Sequence, residues 1–224
     1  MNKFLGALGL SILFACNQAP QTDFKQLYSK AMEIKDYQTA ITAAQVILQA
    51  DSNQTLYLDT LPELYIAVRN FESANYYNEL ALRRHPDDEK YLQVKALLAQ
   101  QGGRIEEEMD VYNKLYAKTQ KLGYLYQIAA YQFGTEQFEL SEKTVKDLES
   151  KMVNSMDSVD FMISETQKQK IPIRAAVYNL KAYMVAQKRD LPGAKKYFEM
   201  ALKEYPDFIA ARQNLMQLMN GGRR

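Results

Sequence analysis

Catalysis needs a nucleophile beside a base, a set of metal ligands or a cradle for phosphate, and this 224-residue chain holds few residues suited to any of them. There is one histidine, His85, directly before Pro86, and one cysteine, Cys16. A lone imidazole with no second histidine or thiol close by in sequence builds neither a zinc site nor a nucleophile–base pair, so His85 reads as a turn residue. Two acidic runs, Asp87-Asp88-Glu89 and Glu106-Glu107-Glu108 with Asp110, are the other places to look for a metal. Calcium loops alternate oxygen ligands about a glycine, and neither run does. Both stand where amphipathic stretches begin, and carboxylates there satisfy free backbone amides and the helix dipole. Gly102-Gly103 lies between two such stretches and lacks the spacing of a phosphate loop. The expectation is a protein that is not an enzyme and takes no metal and no cofactor. Lys plus Arg number 28 against 27 Asp plus Glu, and a chain so balanced has no electrostatic footprint for nucleic acid.

The elements that carry the remaining residues follow from patterning. Hydrophobic residues at 47% and charged residues at 25% describe a folded chain rather than a disordered one, and 9 Gly with 6 Pro favour helices joined by short turns. The start is different. Met1-Asn2-Lys3 leads into an apolar run from Phe4 to Ala15, the pattern of a secretory signal peptide over 1–15, too short for a permanent membrane helix. Leu13-Phe14-Ala15-Cys16 resembles a bacterial lipobox, with Phe14 where a small or β-branched residue is usual. The resemblance implies that Cys16 is acylated and becomes the first mature residue, and several acyl chains give stable anchoring. Asn17 rather than aspartate follows it, which by resemblance to Gram-negative lipoproteins implies the outer membrane, periplasmic face. Residues 16–22 read as a tether.

From Gln21 onward the chain repeats with a period of 34 residues, restarting at Thr55 and Glu89, and each repeat reads as two amphipathic helices. The second repeat carries Leu58, Leu61, Tyr65, Asn70-Phe71, Ala74, Ala81 and Pro86; the first carries Phe24, Leu27, Ala31, Ala40, Ala44 and Ile47. The third has Leu92, Ala96, Ala99, Tyr112 and Leu115, the fourth Leu125, Ile128, Ala129, Ser141, Val145 and Leu148, the fifth Tyr178, Ala182, Val185, Ala194, Phe198, Ala201 and Pro206. Small residues recur where two backbones must cross closely, and large ones where gaps between helices need filling. This set resembles the tetratricopeptide repeat. The resemblance implies an all-α, right-handed α-solenoid of about five helix–turn–helix repeats, with a C-terminal capping helix from Asp207. Repeats one to four occupy 23–149, and repeat five with the cap occupies 175–224. Between them, 150–174 is an apolar insertion read as extra helix packed on the array. Pro62 is expected to kink its helix or delay its start to about Thr60. Asn78 and Glu108 stand where the pattern has an aromatic and a small residue.

In tetratricopeptide arrays the first helix of each repeat lines a concave groove. Carried onto this sequence, the groove positions that could hold a partner include Lys25, Asp59, Glu63, Lys90, Gln93, Tyr126, Phe133, Asn179 and Tyr183. The basic clamp that some family members use for a chain terminus is matched only by Lys25 and Lys90, with Ser29, Thr60 and Val94 at its other positions, so that mode is excluded. The expected function is a non-enzymatic scaffold in the bacterial envelope, holding a protein or peptide in assembly, secretion or a pilotin-like role. The alternative is a glycan- or peptidoglycan-binding lipoprotein, disfavoured by the absence of Trp.

Overall fold

Several of the described helices begin at an aspartate able to cap them. In the computed structural model, which describes residues 23–164 and 167–221, Asp23, Asp36, Asp88 and Asp190 accept backbone N–H groups of the helices they precede. Pro192 sits in the first turn after Asp190, as the sequence predicts. The segments read as signal peptide and tether, with Cys16, lie outside the described residues. The described chain divides into two compact units between Asn70 and Phe71, at the turn inside the second repeat. The first unit contains α1 (Phe24–Glu33), α2 (Tyr37–Ala50) and α3 (Thr55–Ala67). The second contains α4 (Phe71–Arg84), α5 (Glu89–Gln101), α6 (Ile105–Thr119), α7 (Leu122–Gly134), α8 (Phe138–Lys151), α9 (Ile173–Gln187), α10 (Leu191–Glu204) and α11 (Ile209–Gly221). No described helix is long and apolar enough to cross a membrane.

The turn inside each repeat is one structure used five times. Lys35, Arg69, Gly103, Glu136 and Arg189 all take a left-handed conformation, with φ between 59° and 64°. The N–H of the next residue then reaches back five positions: Asp36 to Ala31, Asn70 to Tyr65, Arg104 to Ala99, Gln137 to Gln132 and Asp190 to Val185, at 2.8–3.0 Å. These bonds satisfy carbonyls left open at the helix end. The small residues behave as their positions demand. Ala40, Ala44, Ala74, Ala81, Ala99, Ala129, Ala182, Ala194 and Ala201 are all fully buried.

Two expectations are corrected. The helix containing Pro62 starts at Thr55, not near Thr60, and runs through the proline. Pro62 is buried beside Leu61, so packing offsets the hydrogen bond it cannot donate. The insertion is not helix. After a 3₁₀ turn at Met152–Asn154 it forms an antiparallel hairpin, β1 (Ser158–Met162) with β2 (Lys168–Pro172). Val159 opposes Ile171 and Phe161 opposes Gln169 on one face, while Ser158, Asp160 and Lys170 take the other. This alternation, not apolar content, decides strand over helix. Val159 and Ile171 are buried in the core of the second unit with Tyr126, Leu148, Ile173 and Phe208.

Candidate functional site

In the first unit Lys25 and Glu63 are exposed and Asp59 is half-buried. Nearby, the Tyr28 hydroxyl donates to Thr60 Oγ1 at 2.9 Å, and Thr60 Oγ1 donates to the Tyr57 carbonyl at 3.0 Å. The Tyr28 and Tyr57 rings meet edge to face, 4.9 Å between centroids. The aromatic and hydroxyl groups of this face serve the fold.

In the second unit, Lys90 and Gln93 lie on α5, and Gln93 joins a network rather than facing solvent freely. Its Nε2 donates to the Tyr124 hydroxyl of α7 at 2.5 Å, and the same hydroxyl donates to Glu89 Oε1 at 2.5 Å. Lys121 Nζ lies 2.6 Å from that carboxylate oxygen. The hydrogen bonds of Lys121 and Tyr124 hold the Glu89 carboxyl below the usual range, while burial and the Glu89 bond push Tyr124 up to about 12. Lys90 Nζ sits over the Tyr91 ring, 5.6 Å from its centre. A groove of about 400 Å³ between α4, α5 and α6 has an apolar floor of Leu82, Leu92 and Val111. Its rim is crossed by Lys95, which pairs with both Glu79 at 2.9 Å and Glu107 at 3.3 Å.

The structure brings three of the predicted groove residues together: Tyr126 on α7 with Asn179 and Tyr183 on α9. α9 packs against both α7 and α8. Of these candidate groove positions, Tyr126 and Asn179 are buried, 6% and 3% accessible. The hairpin is the reason for the first, since Phe161 covers Tyr126 with ring centres 6.0 Å apart. Asn179 is covered by α11, whose Asn214 Nδ2 donates to Asn179 Oδ1 at 3.2 Å. Tyr183 remains 41% accessible, hydrogen-bonded to Asn214 and edge-on to Phe198 at 5.7 Å. Burial raises the pKa of both Tyr126 and Tyr183, and the Tyr126 phenol is further penalised by the neighbouring Tyr183. Phe133 is half-buried against Phe138, 5.6 Å between centroids.

Sequence reasoning missed Phe161, Asn214 and Tyr124 as parts of this region. Phe161 was hidden in a segment read as helix, and Asn214 in a helix read only as a polar-backed cap. The hairpin is seated by polar contacts at both ends. Asp157 Oδ2 accepts the Leu122 N–H that opens α7, at 2.6 Å. Gln169 Oε1 accepts the Ile209 N–H that opens α11, at 3.2 Å, and its Nε2 donates to the Asp207 carbonyl at 2.6 Å. Gly123 makes the seat close, because a Cβ on it would lie 3.0 Å from the Ser158 carbonyl oxygen and the strand would have to give way by a few tenths of an ångström.

No protein-family model matches the sequence, and no curated protein does. Among solved structures, a tetratricopeptide repeat protein from Parabacteroides merdae ATCC 43184 is 16% identical, with a TM-score of 0.51 over 88% of this chain and 70% of its own. YrrB, described as a TPR protein with an unusual peptide-binding site, gives 0.59 at 10% identity over 85% of this chain and 89% of its own. PilW, described as a widely conserved type IV pilus biogenesis factor, gives 0.55 at 16% identity over 88% and 84%. With the repeated turn and the buried alanines, these likenesses establish that this chain has the all-α repeat fold of tetratricopeptide-repeat proteins.

Proposed function

We propose that this protein is an envelope lipoprotein, anchored through Cys16 at the periplasmic face of the outer membrane, that holds a segment of another protein on the face built by α7, α9 and α11. The observation that carries the reading is the pairing of an accessible Tyr183 and a half-buried Phe133 with small neighbours Ala130 and Ala186 on the same helices. Aromatic anchors beside small residues are what an extended segment or a partner helix needs. The fold shared with a peptide-binding protein and a pilus biogenesis factor supports a scaffold role in assembly, secretion or a pilotin-like task.

The test is site-specific photocrosslinking from positions 130 and 186, beside the two aromatic anchors, in intact cells, followed by detergent extraction and mass spectrometry. One dominant envelope protein, joined at both positions and lost in a Phe133→Ala, Tyr183→Ala variant with an unchanged helical spectrum, is the expected result. Undiminished crosslinking in the double variant removes this face from consideration. Labelling with a radioactive fatty acid, present in the natural chain and absent in Cys16→Ser, tests the anchor separately.

A further inference from the structure

We propose that the outer edge of β1, at Asp160 and Met162, is a docking strand, to which an extended segment of the partner protein adds as a third, antiparallel strand. The proposal rests on the scaffold reading and names the mode by which the segment is held. The register fixes which main-chain groups are free. Ile163 N–H donates to the Gln167 carbonyl at 2.8 Å and Ile173 N–H to the Asp157 carbonyl at 2.9 Å, so the odd-numbered residues of β1 make the bonds to β2. In an antiparallel pair the alternate residues turn both N–H and C=O away from the partner strand. On β1 these are Ser158, Asp160 and Met162; on β2 they are Lys168, Lys170 and Pro172. Ser158 faces α7, its carbonyl oxygen 3.0 Å from where a Cβ on Gly123 would stand. Asp160 and Met162 are exposed, and among the described residues no hydrogen bond meets their outward main-chain groups.

The two edges are not equivalent. β2 carries Pro172, which has no N–H to offer, and exposed Lys168 and Lys170, the devices by which natural sheets keep further strands from adding. β1 carries neither. It presents two N–H and two C=O groups beside Met162 and Ile163, 59% and 41% accessible. Main-chain pairing of this kind supplies affinity, while the side chains of alternate residues supply selectivity. On the outward face Asp160 has only a loose diagonal pair, Lys168 at 3.7 Å, and its other side is open. The partner residue opposite it is therefore basic, and the one opposite Met162 apolar. The residue between them shares the inward face with Phe161, which meets Tyr126 of α7, and is apolar as well.

The full ¹⁵N-labelled chain is titrated with acetyl-Thr-Val-Val-Lys-Thr-amide, whose second to fourth residues lie opposite Met162, Phe161 and Asp160. Saturable shifts of the Asp160 and Met162 main-chain amide resonances are expected. N-methylation at the second or fourth residue removes a donor to β1 and should weaken the peptide by roughly tenfold. At the third residue, whose N–H faces away, it should change affinity by less than about twofold. Met162→Pro removes an edge donor without touching a bond to β2, and it should abolish the response at Asp160; Lys170→Pro, on the far edge, should not. No saturable shift at Asp160 and Met162, or equal weakening by all three N-methyl peptides, overturns the docking strand. The N-methyl series uses the natural chain, so it decides the matter if a proline disturbs the hairpin. A doubling of mass in sedimentation that Met162→Pro abolishes makes a second copy the occupant and overturns the assignment to a partner. Crosslinks from positions 130 and 186 that survive Met162→Pro leave the scaffold reading standing while this edge falls; their absence from the natural chain bears on the scaffold itself.

Discussion

Where the repeat pattern calls for a small or aromatic residue, this chain several times places a polar one, and each substitution is resolved differently. Asn78 is fully buried and donates to the Tyr91 carbonyl of α5 at 3.1 Å, while its Oδ1 has no partner. Ser141 donates to the Ala129 carbonyl at 2.7 Å, linking α8 to α7. Glu108 has no such resolution. It is 8% accessible, and burial raises its pKa; Tyr112 beside it is pushed up to about 12 by burial and by the Glu108 charge. A carboxyl whose pKa is raised on folding stabilises the protein below its unfolded value and loses that contribution as pH rises through the folded one. At neutral pH the charged form is therefore a burden. Glu108→Gln is expected to raise the thermal midpoint by roughly 2–4 °C at pH 7, and the gain should vanish below about pH 4, where the natural residue is itself neutral. A gain that persists unchanged at acid pH contradicts the assignment. The sequence marks Asn78 and Glu108 as departures, but periodicity says nothing about which carbonyl an amide finds. It likewise puts Tyr126 on a groove face without revealing the Phe161 ring that covers it.

At the scale of elements, the repeated left-handed turn is the clearest case of sequence and structure agreeing. Its place was legible from the recurring breaks at Asp36-Tyr37, Asn70-Phe71 and Gly102-Gly103. Only Gly103 meets the geometry with a glycine; Lys35, Arg69, Glu136 and Arg189 adopt it with a side chain. Left-handed backbone costs a non-glycine residue about 1–2 kcal/mol, and glycine loses part of that advantage through its freedom when unfolded. Glu136→Gly should thus stabilise the protein by about 0.5–1 kcal/mol, measured by urea unfolding, and a loss of stability would show that the side chain contributes something the turn alone does not. The hairpin was illegible for a reason of the same kind. Met152, Val153, Met156, Val159, Phe161 and Ile163 suit a buried helix as well as a strand by content. The alternation that distinguishes them spans only Ser158–Met162, too short to outvote the helices on either side.

At the scale of the molecule, each repeat of a tetratricopeptide-type array contacts only its neighbours, so opening at one end need not spread to the other. The insertion changes this in the second unit. It reaches α7 through Asp157 and α11 through Gln169, and it buries Val159 and Ile171 in the core shared with α9. Asp157→Ala removes the acceptor for the first N–H of α7 and should cost about 1 kcal/mol. Amide exchange should then quicken together in α7, α9 and α11, while α4 and α5 are unaffected. Acceleration confined to the first turn of α7 would mean that the hairpin does not couple these helices.

The same coupling governs how the protein yields to load. A stack of independent hairpins pulled from its ends unspools one pair at a time, each at low force. Here the chain just before α11 is pinned by a two-stranded clasp, so a pull that reaches the first residue of α11 must break the Gln169 bonds, the Phe161–Phe208 contact and the buried strand together before α10 and α9 are released. Under tension the hairpin, α9 and α10 would hold as a brittle block and let go in a single step.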